Sequence, residues 1–224
     1  MGDILKRASM SDCKPLTTPA SVSQAESSDE LYDNPNQYRT LAGALQYLTV
    51  TRPDLSYAVN RLCLFMHSPT IDHWKLLKRV LRYVKATVDF GLRLTASSST
   101  DFHAVLDSDW VGCSIDRKST SGFAVFCGSN LVLWVCHKQK TVARSSTEAE
   151  YKALADVSVK VTWIVSLLRE IGFSLGATLR LWCDNLGAAY LCANPVFHVR
   201  TKHVEINFQF SLCSGQGGFW GVAG

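Results

Sequence analysis

Two short apolar runs that each end on an aspartate constrain this chain more than any other feature. His103 to Leu106 leads into Asp107, and Leu179 to Cys183 leads into Asp184. Between them stand a hairpin pattern and a long helical repeat. Phe123 to Cys127 and Leu131 to Val135 are strand-like runs joined by Gly128-Ser129-Asn130, a short turn. Leu154, Val157, Val161, Ile164, Leu168 and Ile171 then recur every three or four residues from a start near Thr147, and Gly172 suits the stop. A helical crossover makes the strands it joins parallel. Their carboxyl ends then share one sheet edge, the place where open α/β sheets bind ligands. Asp107 and Asp184 are therefore expected side by side. Asn185 to Ala193 reads as a further short helix, stopped by Asn194-Pro195.

A third acid can reach that edge, because the long helix starts there. Glu148 and Glu150 both lie in its first turn, two positions apart, so only one of them can face the two aspartates. Convergent carboxylates repel one another unless a cation lies between them, and hard divalent ions fit such a set of oxygens. Two ions of this kind can activate a water and stabilise a leaving oxygen in phosphodiester cleavage. Each acid also has a local role open to it. Ser145-x-x-Glu148 and Thr147-x-x-Glu150 both match a capping box, and Asp184-Asn185 can cap the short helix.

Upstream of residue 100 the period is helical. Leu41, Leu45 and Leu48 open a first helix from about Gln37, and Pro53 suits the first turn of a second that runs to about His67. Trp74, Leu77, Leu81 and Val84 form the apolar face of a third. Its other face carries Lys75, Lys78, Arg79, Arg82 and Lys85, within a span of eleven residues that contains no acid. That stripe is expected to face solvent and could follow a phosphate backbone. Residues 11–37 are rich in Ser, Thr, Pro, Asp and Asn and read as a linker.

The chain has 224 residues, of which 47% are hydrophobic and 19% charged, enough to bury a core. No apolar run approaches the length of a membrane span. The amino terminus lacks a signal-peptide core, so an intracellular location, cytoplasmic or nuclear and not secreted, is expected. The eight cysteines show neither C-x-x-C nor zinc spacing, and they read as free thiols in a reducing compartment.

Several ordered motifs together resemble one family. They are Asp107-Ser108-Asp109-Trp110, Arg117-Lys118-Ser119-Thr120-Ser121-Gly122, Ser145-Ser146-Thr147-Glu148-Ala149-Glu150-Tyr151, Cys183-Asp184-Asn185 and Arg200-Thr201-Lys202-His203-Val204-Glu205-Ile206. They look like the ribonuclease H region of copia-type LTR-retrotransposon Pol polyproteins. Cys13-Lys14-Pro15 and Thr51-Arg52-Pro53-Asp54 resemble the stretch that links the reverse-transcriptase thumb to that region. The resemblance covers about residues 1–210.

It implies an α/β fold with a ribonuclease H-like mixed sheet of about five strands and packed helices, preceded by a small helical segment. The implied organisation is an extended linker over 1–36, a helical thumb or connection segment over 37–95, the ribonuclease H-like domain over 101–210, and a tail unlike the family over 211–224. The implied activity is endonucleolytic cleavage of the RNA strand of an RNA–DNA hybrid with Mg2+ or Mn2+. Asp107, Glu150 and Asp184 match the family's catalytic, metal-holding carboxylates. Glu148 and Asp109 match positions near the site, and His203 a position at its mouth. Ser145, Ser146 and Thr147, with Lys78 and Arg82 of the basic stripe, are the expected nucleic-acid contacts. Neither a membrane nor a small-molecule substrate is expected.

The chain departs from the family at its end. Asn207 stands where the family has an acid, and Gln209 where it has a histidine. After Phe210 the text turns Gly-rich, so the family's closing helix is expected to be missing. The rest of the polyprotein, including the polymerase's paired aspartates, is likewise expected to be absent, and no DNA polymerisation is expected of this chain. The expectation is an impaired ribonuclease H-type enzyme. The alternative is a non-catalytic, decayed nucleic-acid-binding remnant.

Overall fold

A computed structural model describes residues 1–20, 30–97, 99, 101–113, 116–173, 179–193 and 220–223. The chain forms two compact units, Met1–Leu92 and Arg93–Gly224.

The first unit is helical. Its helices are α1 (Gly2–Arg7), α2 (Pro35–Leu48), α3 (Ser56–Cys63) and α4 (Ile71–Ala86), with a 3-10 turn at Pro53–Leu55. Asn34 starts α2 by accepting a hydrogen bond from the Gln37 amide, with Pro35 in the first turn. Thr70 and His73 form a reciprocal capping box on α4. The second helix is shorter than its expected run to His67 and begins as a 3-10 turn. Tyr38, Leu41, Leu45, Leu55, Leu62, Leu77 and Leu81 share one core, and Trp74 packs against it. Residues 1–36, read as an extended linker, instead open on α1, and Leu5 and Ala8 are buried in this core. The Thr51-Arg52-Pro53-Asp54 motif is a buried polar joint. Arg52 is 1% exposed, pairs both Asp54 oxygens at 2.9 and 2.7 Å, and donates to the Thr87 carbonyl at 2.8 Å.

The second unit is a mixed sheet with packed helices. Its strands are β1 (Phe102–Asp109), β2 (Thr120–Cys127), β3 (Asn130–Lys138), β4 (Leu179–Trp182) and β5 (Trp220–Ala223), in the order β3-β2-β1-β4-β5. β1 pairs antiparallel with β2 and parallel with β4, and β4 pairs parallel with β5. This is the ribonuclease H-like arrangement implied above. Strand β5 lies within 211–224, where the sequence reading assigned no element. The β2–β3 turn depends on Gly128, whose φ is +57° and whose absent Cβ would lie 2.6 Å from the Ser99 carbonyl oxygen.

Helix α5 (Ser146–Glu170) is the crossover between β3 and β4, and α6 (Leu186–Ala193) follows β4. Gly172, at φ +79°, stands just after α5. Burial alternates along β1, so Phe102, Ala104 and Leu106 face α5 and pack on Tyr151, Leu154, Val157 and Val161, together with Leu179 and Leu181 of β4. No helix among the described residues is long and apolar enough to cross a membrane.

Candidate active site

The β1–β4 register brings the two aspartates together. Val105 is the parallel partner of Trp182, the last residue of β4; Asp107 stands two positions further along β1, and Asp184 two positions past the end of β4. Both are exposed, at the carboxyl-terminal edge of the sheet.

Glu150 completes the cluster from the first turns of α5. It is 4% exposed, and its Oε1 accepts a hydrogen bond from the Ser108 amide at 2.7 Å. Carboxylate oxygens of Glu150 and Asp184 lie within 4.8 Å of each other and of the Cys183 thiol, and the Asp107 carboxylate is near enough for its charge to act on Glu150. Burial pushes the Glu150 carboxyl up to about 7, and the charges of Asp107 and Asp184 push the same way. The Ser108 amide opposes them. Near neutral pH the Glu150 carboxyl thus holds its proton readily. The Cys183 thiol is raised as well, by burial first and then by the neighbouring carboxylates.

Glu148 faces elsewhere. It accepts from the Arg144 amide at 2.9 Å and pairs with Lys152 at 2.7 Å. The α5 cap is Ser145, whose hydroxyl accepts from the Glu148 amide at 3.1 Å. Of the two capping patterns in the sequence, the one at Ser145 is therefore used, which leaves Glu150 free for the cluster. Thr147 instead reaches Asn185, at 3.4 Å. Asn185, not Asp184, bonds the start of α6 through the Ala188 amide at 3.1 Å. Ser145 and Ser146 are exposed at the start of α5, and Thr147 is half-buried. Asp109 is exposed at the end of β1, beyond the cluster.

The basic stripe lies in the helical unit. Of the stripe, Lys75 is exposed, while Lys78, Arg79, Arg82 and Lys85 are half-buried. The expectation of a solvent-facing stripe is corrected here. Arg82 donates to the Lys14 carbonyl at 2.6 Å and Arg79 to the Thr18 hydroxyl at 2.7 Å, so the segment around 14–18 occupies part of that face. Asn207 and His203 lie outside the described residues.

The donor set suits a hard divalent cation. It offers carboxylate oxygens from three chain segments, one of them buried and resisting ionisation, and a cation would offset that repulsion. Sequence reasoning missed Ser108, Cys183 and Gln139 as parts of the site. Ser108 acts through its backbone, which no side-chain pattern signals, and Cys183 reads as one more apolar strand residue.

Comparison with known proteins places these features. No family model matches the chain. The chain is 49% identical over 211 residues to the retrovirus-related Pol polyprotein from transposon RE2 of Arabidopsis thaliana, covering 93% of this chain and 14% of that polyprotein. It is 50% identical over 161 residues to an uncharacterized mitochondrial protein of the same plant, covering 71% of this chain and 67% of that protein. The chain thus spans a small part of the polyprotein it matches. Among solved structures, ribonuclease H1 from Halobacterium salinarum aligns with a TM-score of 0.36 and 15% identity, over 55% of this chain and 83% of that one.

Proposed function

This chain belongs to the retrovirus-related Pol polyproteins of copia-type transposons, and from that premise we propose that its second unit cuts the RNA strand of RNA–DNA hybrids with Mg2+ or Mn2+. The observation that carries the reading is the pairing of Glu150 and Asp184 within 4.8 Å beside the carboxyl-terminal ends of β1 and β4, with the Asp107 charge acting on Glu150 from β1.

The three carboxylates would hold the divalent ions. Such ions, when bound, activate a water and stabilise the departing oxygen of a phosphodiester. The chain's own residues do the rest. The Ser108 amide fixes one Glu150 oxygen and so turns the carboxyl toward the two aspartates. Glu150 gives up its proton when a cation is held, so cation binding strengthens as pH rises through about 7. Asp107 and Asp184 are exposed and reachable by a bulky nucleic acid. Ser145 and Ser146, exposed at the start of α5, can donate hydroxyl hydrogen bonds to its backbone.

The test is cleavage of a labelled RNA–DNA hybrid by the purified chain across a Mg2+ titration. Asp107→Asn or Asp184→Asn is expected to lower the rate at least about a hundredfold, about 2.7 kcal/mol of transition-state stabilisation. A folded chain that binds the hybrid and leaves it intact at every Mg2+ concentration would make it a non-catalytic binding remnant instead.

A further inference from the structure

Gln139 stands one residue beyond β3 and is 4% exposed. Its amide nitrogen Nε2 lies 2.8 Å from the Ser121 hydroxyl, 2.9 Å from the Ala149 carbonyl and 3.3 Å from the Ser108 hydroxyl. Its own backbone amide donates to the Ser119 carbonyl at 2.8 Å. The side-chain orientation is unambiguous, because the Ala149 carbonyl can only accept and must therefore face the NH2 end.

These contacts close a ring around Glu150. The Ala149 carbonyl belongs to the peptide bond that leads into Glu150. Ser108 touches Gln139 through its hydroxyl and holds the Glu150 carboxyl through its amide. Ser121 is the cross-strand partner of Ser108. One side chain thus ties β1, β2 and the first turn of α5 together at the residue before the buried acid. The ring also has a cost. Gln139 Oε1 is buried with no hydrogen-bond partner among the described residues, and unpaired buried carbonyls are rare in cores. An apolar side chain of the same size would fill the space without that penalty.

We infer that Gln139 is a positioning residue, which sets the α5 backbone so that the Glu150 carboxyl meets the Ser108 amide and faces Asp107 and Asp184. The inference rests on the ribonuclease H-type reading for its consequence in catalysis, while the positioning itself has a readout of its own. That readout is the Ser108 amide proton in the NMR spectrum of the full chain, shifted downfield by its carboxylate acceptor.

In Gln139→Leu the Ser108 signal is expected to move toward the position it takes in Glu150→Ala. Mg2+ affinity by calorimetry is expected to fall at least fivefold, and kcat on the hybrid at least tenfold, with KM within twofold. A Ser108 signal, Mg2+ affinity and kcat that all match the parent's would overturn the inference and leave Gln139 a packing residue. If the leucine chain does not fold, Gln139→Glu keeps the size and places an oxygen against the Ala149 carbonyl, so the same displacement of the Ser108 signal is expected. An unmoved signal in that variant would overturn the inference equally. A parent chain that cleaves no hybrid would sink the enzymatic reading, and the Ser108 signal would still decide the role of Gln139.

Discussion

At Glu150, burial and charge act together against ionisation, and the consequence for stability has a definite sign. Its carboxyl is raised from 4.5 to about 7 in the folded chain. The folded state therefore binds the proton more tightly than the unfolded state does. Below about 4.5 both states are protonated and the group costs nothing. As pH rises toward 7 the unfolded state ionises first, and the folded state loses stability relative to it. Well above 7 the full penalty is present, on the order of 3 kcal/mol. Glu150→Gln, which keeps an oxygen for the Ser108 amide, is expected to raise the melting temperature at pH 8 by several degrees in a metal-free buffer and to leave it unchanged at pH 4. An identical shift at both pH values would mean that shape, not charge, is responsible. Mg2+ at pH 8 should stabilise the parent and not the Gln variant, since a ligand that binds only the folded state stabilises it. The two aspartates of this site were legible because each closes an apolar strand. The choice between Glu148 and Glu150 was not legible from spacing, because both fit a helix cap. The family motif singled out Glu150, and the fold explains why: Ser145 supplies the cap while Glu148 is held by Lys152. Gln139 was illegible because it sits in the polar run His137-Lys138-Gln139-Lys140, which reads as the exposed end of a strand.

Helices and strands followed the sequence pattern wherever one face was apolar. The β1, β2, β3 and α5 runs were readable from their periods, and the structure extends each strand by the residues that pair across the sheet, such as Ser108 with Ser121 and Asp109 with Thr120. Helix α1 was missed because six residues carry too little period to stand out from a polar amino terminus. Helix α4 shows the limit of reading a charged face. Its apolar side faces the core as expected, while its basic side is shared between solvent and the segment near Lys14 and Thr18. Arg79 and Arg82 are thus partly committed within the chain. Lys78 has no such contact among the described hydrogen bonds and ion pairs, so it is the better probe of phosphate binding. Lys78→Glu is expected to weaken hybrid binding severalfold at low salt and to lower the slope of log affinity against log salt by about 1. Binding that keeps both its strength and its slope would reduce the stripe to a solvated and self-paired surface. Arg82→Glu is a poorer test, since it also removes the bond to the Lys14 carbonyl.

Among the described residues of the second unit, the two faces of the sheet are covered unequally. One face is filled by α5, against which Ala104, Leu106, Val125 and Leu181 are buried. Alternation sends Val105, Ala124, Trp134 and Trp182 to the other face, and the register sets them in one row across β3, β2, β1 and β4. Val105 is 46% exposed and Trp182 43% exposed, in strands at the middle of the sheet. Apolar side chains at central strand positions are ordinarily covered, and a contiguous exposed patch promotes association. The chain is accordingly expected to bind a hydrophobic fluorescent dye in its folded state and to self-associate at moderate concentration. Replacing Val105 and Trp182 together by threonine keeps two residues that favour strands and removes most of the exposed apolar area of the row. The double variant should bind several times less dye and sediment as a smaller species, with a stability change of about 1 kcal/mol or less, because exposed positions contribute little to the core. A loss of several kcal/mol would show instead that the two side chains are buried in the folded molecule. Unchanged dye binding and association would place the sticky surface elsewhere, and the exposed helix positions Trp163 and Leu167 of α5 would then be the next to replace.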